Sequence, residues 1–301
     1  MKHLNAWIDV ARPRTLPLAL SSTTLGSLLA AADHTFNWSV FVLASLTTVL
    51  LQILSNLAND YGDFMNGKDT ADRIGPQRMV QSGQITPQHM VKALVVLVAV
   101  TLITGTALIL VGTNGVGTSS TICYFLMGIA AIIAALKYTV GKNPYGYRGL
   151  GDVSVFIFFG LMGTIGTYYL HTHNLKFDLI LPAASIGLLS TGVLNLNNLR
   201  DEQSDRQAQK RTLVIIIGSS KAKIYHLMLL LTAVITGLAY TILNFRSGFQ
   251  FLFLLPLPLL LQNIKAVFRY TRPIELNAEL MKLSISTLLF SITFGAGLLI
   301  R

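Results

Sequence analysis

Residues 50–63 read LLQILSNLANDYGD, and the stretch changes character without a break. An apolar run that begins near Val40 passes directly into Asn56, Asn59, Asp60 and Asp63, with no proline to stop a helix. The apolar part, Val40–Ala58, is long enough to cross a hydrocarbon layer of about 30 Å as a helix. Eight further runs have the same character: Leu16–Ala32, Val91–Val111, Ser120–Tyr138, Val153–Leu170, Leu179–Leu199, Ala222–Leu243, Phe249–Phe268 and Met281–Ile300. Backbone groups in lipid must be bonded internally, which leaves helices or a closed barrel. Continuous apolar runs, rather than ten-residue alternation, exclude the barrel. The sequence therefore predicts an all-α polytopic membrane protein, a bundle of about nine transmembrane helices, forming one integral-membrane domain over residues 1–301.

Composition agrees: mean hydropathy is +0.59 and charged residues are 12% of the chain, about half the share in soluble domains. The net charge of +10 invites a nucleic-acid reading, and position decides against it. With the N-terminus on the cytoplasmic side, only Lys176, Arg246 and Arg301 fall outside, leaving 20 of the 23 Lys and Arg inside. Positive-inside asymmetry accounts for that bias without nucleic acid. The expected topology has a cytoplasmic N-terminus, cytoplasmic polar loops and an outward C-terminus. The "LLAAAD" ending at Asp33 resembles a signal-peptide cleavage site, but the first run is expected to be retained as a helix. No Walker loop or soluble nucleotide-binding unit is found.

The polar residues collect in two inner connections. On a helix, Asn56, Asp60 and Asp63 share one face, with Asn59 one turn from Asn56. The second stretch, NLNNLRDEQSDRQAQKRTL at Asn195–Leu213, puts Asn197, Asp201 and Asp205 at i, i+4 and i+8, again expected on one face. Carboxylates at a helix C-terminus meet the negative end of its dipole, and converging carboxylates repel each other. A cation must offset them. Oxygen ligands suit Mg²⁺, commonly held by one or two carboxylates plus substrate phosphates. Nearby Lys68, Arg73, Arg78, Lys142, Lys210 and Arg211 suit phosphate oxygens or their surroundings. The bland reading is two solvated loop ends whose acids neutralise inner Lys and Arg; matching clusters at two helix ends favour a shared metal and diphosphate site.

Other features are less decisive. The loop KYTVGKNPYGYRGLGD, Lys137–Asp152, fits the edge of an aromatic acceptor or an interfacial aromatic belt equally well. Asp152 is expected to cap its helix, His171 and His173 to be exposed loop residues, and Cys123 to be an inert core thiol. Pro256 and Pro258 are expected to kink the eighth span.

The two acidic stretches resemble the Asp-rich motifs of the UbiA superfamily of intramembrane aromatic prenyltransferases. RPRTLPLAL (Arg12–Leu20), LLQILSNLANDYGD, NPYGYRGLGDVSVFIFFG (Asn143–Gly160) and LNLNNLRDEQSD (Leu194–Asp205) resemble its menaquinone-pathway branch. That branch acts on 1,4-dihydroxy-2-naphthoate and polyprenyl diphosphate in the bacterial cytoplasmic membrane. The resemblance implies transfer of a polyprenyl group with loss of CO2 and diphosphate, giving demethylmenaquinol. It implies Mg²⁺ as cofactor, with Asn59, Asp60 and Asp63 in the first motif, Asp69 and Asp72 extending it, and Asp201 and Asp205 in the second. It also implies that Tyr138 and Lys142 approach the isoprenyl diphosphate. Two departures stand out: Gln209 replaces the glycine usual before K-x-T-L, and Gly67 stands where many members place an acid. A sister prenyltransferase acting on 4-hydroxybenzoate, haem or chlorophyll precursors would share both motifs. A proton- or ion-coupled transporter would also use paired acids, though nearer the bilayer midplane.

Overall fold

The computed structural model describes residues 2–68 and 74–300, with side chains described from Leu4 onward. Asp69, Asp72 and Arg73 lie outside the described residues. Among those described, nine helical segments are long and apolar enough to span a bilayer, as the hydropathy predicts.

A short helix α1 (Lys2–Ala11) leads through a 3₁₀ turn at Pro13–Thr15 into α2 (Leu16–Ala32). Next come α3 (Trp38–Met65), α4 (Pro87–Gly112) and α5 (Thr118–Lys137). The fifth span is composite: α6 (Gly151–Val155), a π-helical stretch at Phe156–Ile165 and α7 (Gly166–Thr172). Then follow α8 (Ile180–Arg200), the short α9 (Glu202–Gln207) and α10 (Leu213–Ile217), and α11 (Ser219–Leu243). A 3₁₀ segment at Gly248–Leu254 precedes α12 (Leu257–Arg269), so the eighth span breaks at its prolines as expected, and α13 (Leu276–Leu299) closes the order.

Burial separates the helices. In its spanning window, 72% of α8 is buried against 0% of α5. α8 is therefore central, and α5 is peripheral, exposing Ile122, Leu126, Ile129 and Ile133 while Met127, Ala131 and Ala135 line the cavity. Small residues make the central position possible: a Cβ on Gly160 of the π-helical stretch would lie 2.6 Å from Gly187 Cα of α8. One apolar core joins α2, α8, α11, α12 and α13; a second joins α1, α3, α4, α5 and the loop residues Met79, Val80 and Ile85. Between them lies a cavity of about 430 Å³.

Several expectations need correction. Cys123 is exposed on α5, not in the core, because α5 turns that face to lipid. His171 is buried: its Nε2 lies 2.9 Å from Ser27 Oγ, and Asn37 N–H donates to Nδ1 at 3.0 Å. These bonds tie the α7 end to α2 and to the start of α3. Asp152 does not cap its helix; it accepts from Tyr225 on α11 at 3.3 Å.

Candidate active site

The first motif lies on unbroken helix. Asn37 caps the start of α3 by accepting from Ser39 and Val40 N–H at 2.9 and 3.3 Å. The helix runs on to Met65, and Gly67 then turns the chain at φ 61°, where a side chain would be strained. The acid-bearing turn is pressed against the chain leaving α5: a Cβ on Gly62 would lie 2.6 Å from Thr139 O. Asn66 donates to Thr139 O at 2.9 Å, and Thr139 Oγ1 donates to Asn59 Oδ1 at 3.1 Å.

Asp60 and Asp63 are both 1% exposed, yet they do different things. Asp60 accepts from Met79 N–H at 2.9 Å and Val80 N–H at 3.1 Å, one on each oxygen, which fastens the loop after the motif. Asp63 gathers side chains: a short ion pair with buried Arg78, Tyr147 Oη donating at 2.5 Å, and Lys210 Nζ at 3.0 Å.

The second motif spans a helix junction, across which Asp201 N–H donates to Asn197 O at 3.0 Å and Asp205 N–H to Asp201 O at 2.8 Å. α8 ends at Arg200, Asp201 forms the break, and Asp205 lies on α9. Arg200, 2% exposed, holds Asp201 through Nε and Nη2, both at 2.7 Å, and reaches Asn197 at 2.7 Å and Asn277 at 2.9 Å. Asp205 lies 3.7 Å from Lys210 Nζ.

Lys210 therefore touches both motifs, 3.0 Å from Asp63 and 3.7 Å from Asp205. The two acidic stretches, remote in sequence, meet at one buried ammonium. Among the described residues, no three His, Cys, Asp or Glu side chains form a metal cage by themselves.

Next to this meeting point the cavity opens. Asn59, Tyr138, Asn197 and Arg200 line its polar end, and Leu51, Phe158, Phe159 and Met162 line its body. Tyr138 and Tyr145 meet edge-on, with centroids 5.4 Å apart. Burial, then the charges of Asp152, Asp205 and Asp63 together with Tyr145, hold the Tyr138 phenol above the usual tyrosine range. It stays neutral at physiological pH.

A model of the UbiA prenyltransferase family matches residues 19–286, most of the chain. This chain belongs to the UbiA prenyltransferase family. It is 45% identical over 301 residues to the 1,4-dihydroxy-2-naphthoate octaprenyltransferase of Haemophilus influenzae, covering 99% of this chain and 97% of that one. It is 42% identical over 298 residues to the enzyme of that name from Escherichia coli, covering 99% and 96%. In fold, the UbiA chain is similar to a UbiA homolog from Archaeoglobus fulgidus bound to GPP and Mg²⁺, with a TM-score of 0.68 at 15% identity over 98% of this chain and 100% of that one.

The other expected site residues are scattered. Lys142 and Arg211 are exposed and Lys68 is half-buried; none of the three lines the cavity. The UbiA chain also places residues at the site that the sequence did not single out. Arg12, Arg14 and Arg200 line the cavity, and Tyr147 joins the motifs by donating to Asp63 while its carbonyl accepts from Arg211 N–H at 3.0 Å. Arg12 and Arg14 had counted toward the charge bias and the RPRTLPLAL resemblance, with no role at the site. Their left-handed turn, with Arg12 at φ 51°, left no glycine as a signal.

Proposed function

We propose that this chain transfers a polyprenyl group from polyprenyl diphosphate to 1,4-dihydroxy-2-naphthoate, releasing CO2 and diphosphate and giving demethylmenaquinol. The names and full-length identity of the relatives support the reaction. The observation that carries it in this molecule is Lys210 bridging Asp63 and Asp205 beside an apolar cavity.

The donor set fits Mg²⁺. It consists of carboxylate oxygens from two motifs, too few to complete a shell, which is how Mg²⁺ is usually held alongside substrate phosphates. Asp63 and Asp205, the two carboxylates that meet at Lys210, would contribute to holding it. When bound, Mg²⁺ supplies positive charge against the developing negative charge of the leaving diphosphate. Lys210 and Arg78, already gathered at Asp63, can turn charge-assisted hydrogen bonds to phosphate oxygens. Asp60 serves the site indirectly, by fixing the loop that carries Arg78.

As the allylic C–O bond weakens, positive charge develops on the prenyl group at the polar end of the cavity. Apolar walls exclude water from it. Tyr138 offers the electron-rich face of a neutral ring. The protein contributes position and electrostatics; the electron-rich naphthoate carbon forms the new bond. The acid-bearing end is assigned to the cytoplasmic side by the charge bias.

The test is direct. The full chain in liposomes, given octaprenyl diphosphate, 1,4-dihydroxy-2-naphthoate and Mg²⁺, is expected to yield the octaprenylated demethylmenaquinol by mass spectrometry. Asp201→Asn is expected to lose that product strongly. Product with 4-hydroxybenzoate and none with the naphthoate would transfer the chain to a sister reaction. Full turnover by Asp201→Asn would remove the second motif from the chemistry.

A further inference from the structure

The reaction brings two anionic groups into one cavity, the diphosphate of the donor and the carboxylate of the acceptor. Two anions need two sets of cations, or they compete. Lys210 and Arg78 form the set at Asp63. The cavity lining itself holds three guanidinium groups, those of Arg12, Arg14 and Arg200. Arg200 is committed to Asp201, Asn197 and Asn277 and is almost wholly buried. Arg12 also has a partner. Arg14 is exposed at the cavity mouth and, among the described residues, makes no hydrogen bond or ion pair.

The backbone around Arg14 is not left to chance. It sits in the 3₁₀ turn Pro13–Thr15, entered through the left-handed Arg12. Asn56 of α3 donates to Ala11 O at 2.9 Å and to Thr15 Oγ1 at 3.1 Å, and Gln52 Nε2 reaches the same hydroxyl at 3.2 Å. Two residues of the acid-bearing helix thus pin the chain on both sides of Arg14. A left-handed non-glycine residue held by such bonds is the kind of strain that concentrates at functional sites. Asn56, Asn197 and Ser284 supply further polar groups in the same cavity lining.

We propose that Arg14 receives the carboxylate of the aromatic acceptor and thereby sets which ring edge faces the prenyl donor. The inference rests on the acceptor reading above and adds the residue that makes the acceptor's acid group a recognition element. A guanidinium fork matches a carboxylate in two parallel hydrogen bonds, so it fixes orientation as well as position. Arg14 is a positioning residue for the acceptor, set within electrostatic reach of Arg200 and Asp201 at the second motif.

The experiment uses the full chain in liposomes and two non-reacting probes that differ only in the acid, 1-hydroxy-2-naphthoate and 1-naphthol, as competitors of the acceptor. Wild type is expected to bind the carboxylate probe more tightly. In Arg14→Gln the preference is expected to vanish, and KM for the naphthoate to rise about 10- to 100-fold, the worth of a charge-assisted hydrogen bond. KM for the polyprenyl diphosphate is expected to stay unchanged, which also shows that the variant is folded. Arg14→Lys, which keeps the charge but not the fork, is expected to restore part of the preference. An unchanged probe ratio in Arg14→Gln, or a rise in KM for the diphosphate instead, would overturn the assignment while leaving the reaction intact. Absence of any wild-type turnover of the naphthoate would overturn both.

Discussion

The two acid-bearing helix ends look alike in sequence and are built differently. In the first, α3 continues past its acids to Met65, and two carboxylates less than one turn apart diverge: Asp60 to loop amides, Asp63 to a ring of side chains. In the second, α8 stops at Arg200, so Asp201 is clasped by the preceding residue and Asp205 moves to α9, within reach of Lys210. Carboxylate spacing alone therefore does not assign roles. What divides these acids is the polar partner each finds; among the described residues, Asp63 and Asp205 share Lys210.

The largest effect is expected at that shared point. Asp63→Asn removes a carboxylate partner of two buried cations, Arg78 and Lys210, and one of the proposed Mg²⁺ ligands. Turnover is expected to fall about 10³-fold or more, measured by radiolabelled prenyl transfer in liposomes. Breaking a buried ion pair also costs stability, about 3–5 kcal/mol, visible as a lowered unfolding temperature in detergent. If Asp63→Asn retained turnover while Asp205→Asn lost it, the roles of the two ends would be exchanged.

Asp60→Asn sharpens the contrast. One oxygen can still accept, so one of the two amide bonds to Met79 and Val80 is weakened or lost. The expected loss is about 1–3 kcal/mol of stability. The Mg²⁺ concentration giving half-maximal turnover is expected to stay near wild type. A marked shift in that concentration would make Asp60 a metal ligand.

How far these roles were legible follows from range. Apolar length is a local property, so all nine spans could be read directly, and so could the helical face of Asn56, Asp60 and Asp63. The end of α8 could not: nothing in NNLRDEQSD marks Asp201 as the break, nor that Arg200 beside it reaches Asn277 of α13. The two roles in the first motif were hidden for the same reason, since the amides that claim Asp60 lie 19 and 20 residues onward. His171 looked like loop because its partners, Ser27 and Asn37, are over 130 residues away. Local pattern showed which residue types were present; long-range partners decided what they do.

Tyr147→Phe tests the join between the ends with a smaller perturbation. The ring stays under Lys210, whose Nζ lies 5.1 Å from its centroid, and the hydroxyl bond to Asp63 is removed. A hydrogen bond to a charged group contributes about 1.5–3 kcal/mol, so turnover is expected to fall about 10- to 100-fold. KM for the naphthoate is expected to hold, because the loop carrying Tyr147 is placed here as a brace between motifs. A selective rise in that KM would restore the loop as an acceptor edge.

The smallest effect concerns the turn that delivers Lys210 to both ends. Gln209 stands where the family branch usually has glycine, and its φ is 54°, in the left-handed region. Side chains there crowd the following carbonyl at about 1–2 kcal/mol, a penalty glycine escapes. Against this, glycine has more unfolded-chain entropy to lose, roughly 0.4–1 kcal/mol. Gln209→Gly is therefore expected to be neutral to slightly stabilising, by roughly 0–1.6 kcal/mol, and to leave turnover near wild type. Hydrogen exchange at the amides of Ala208 to Arg211 can resolve so small a change, with slower exchange expected in the variant. Faster exchange, together with weaker turnover, would mean that the Gln209 side chain itself restrains the turn. Lys210 would then owe its position between Asp63 and Asp205 to a contact other than the Lys210 N–H bond to Asp205 O at 2.9 Å.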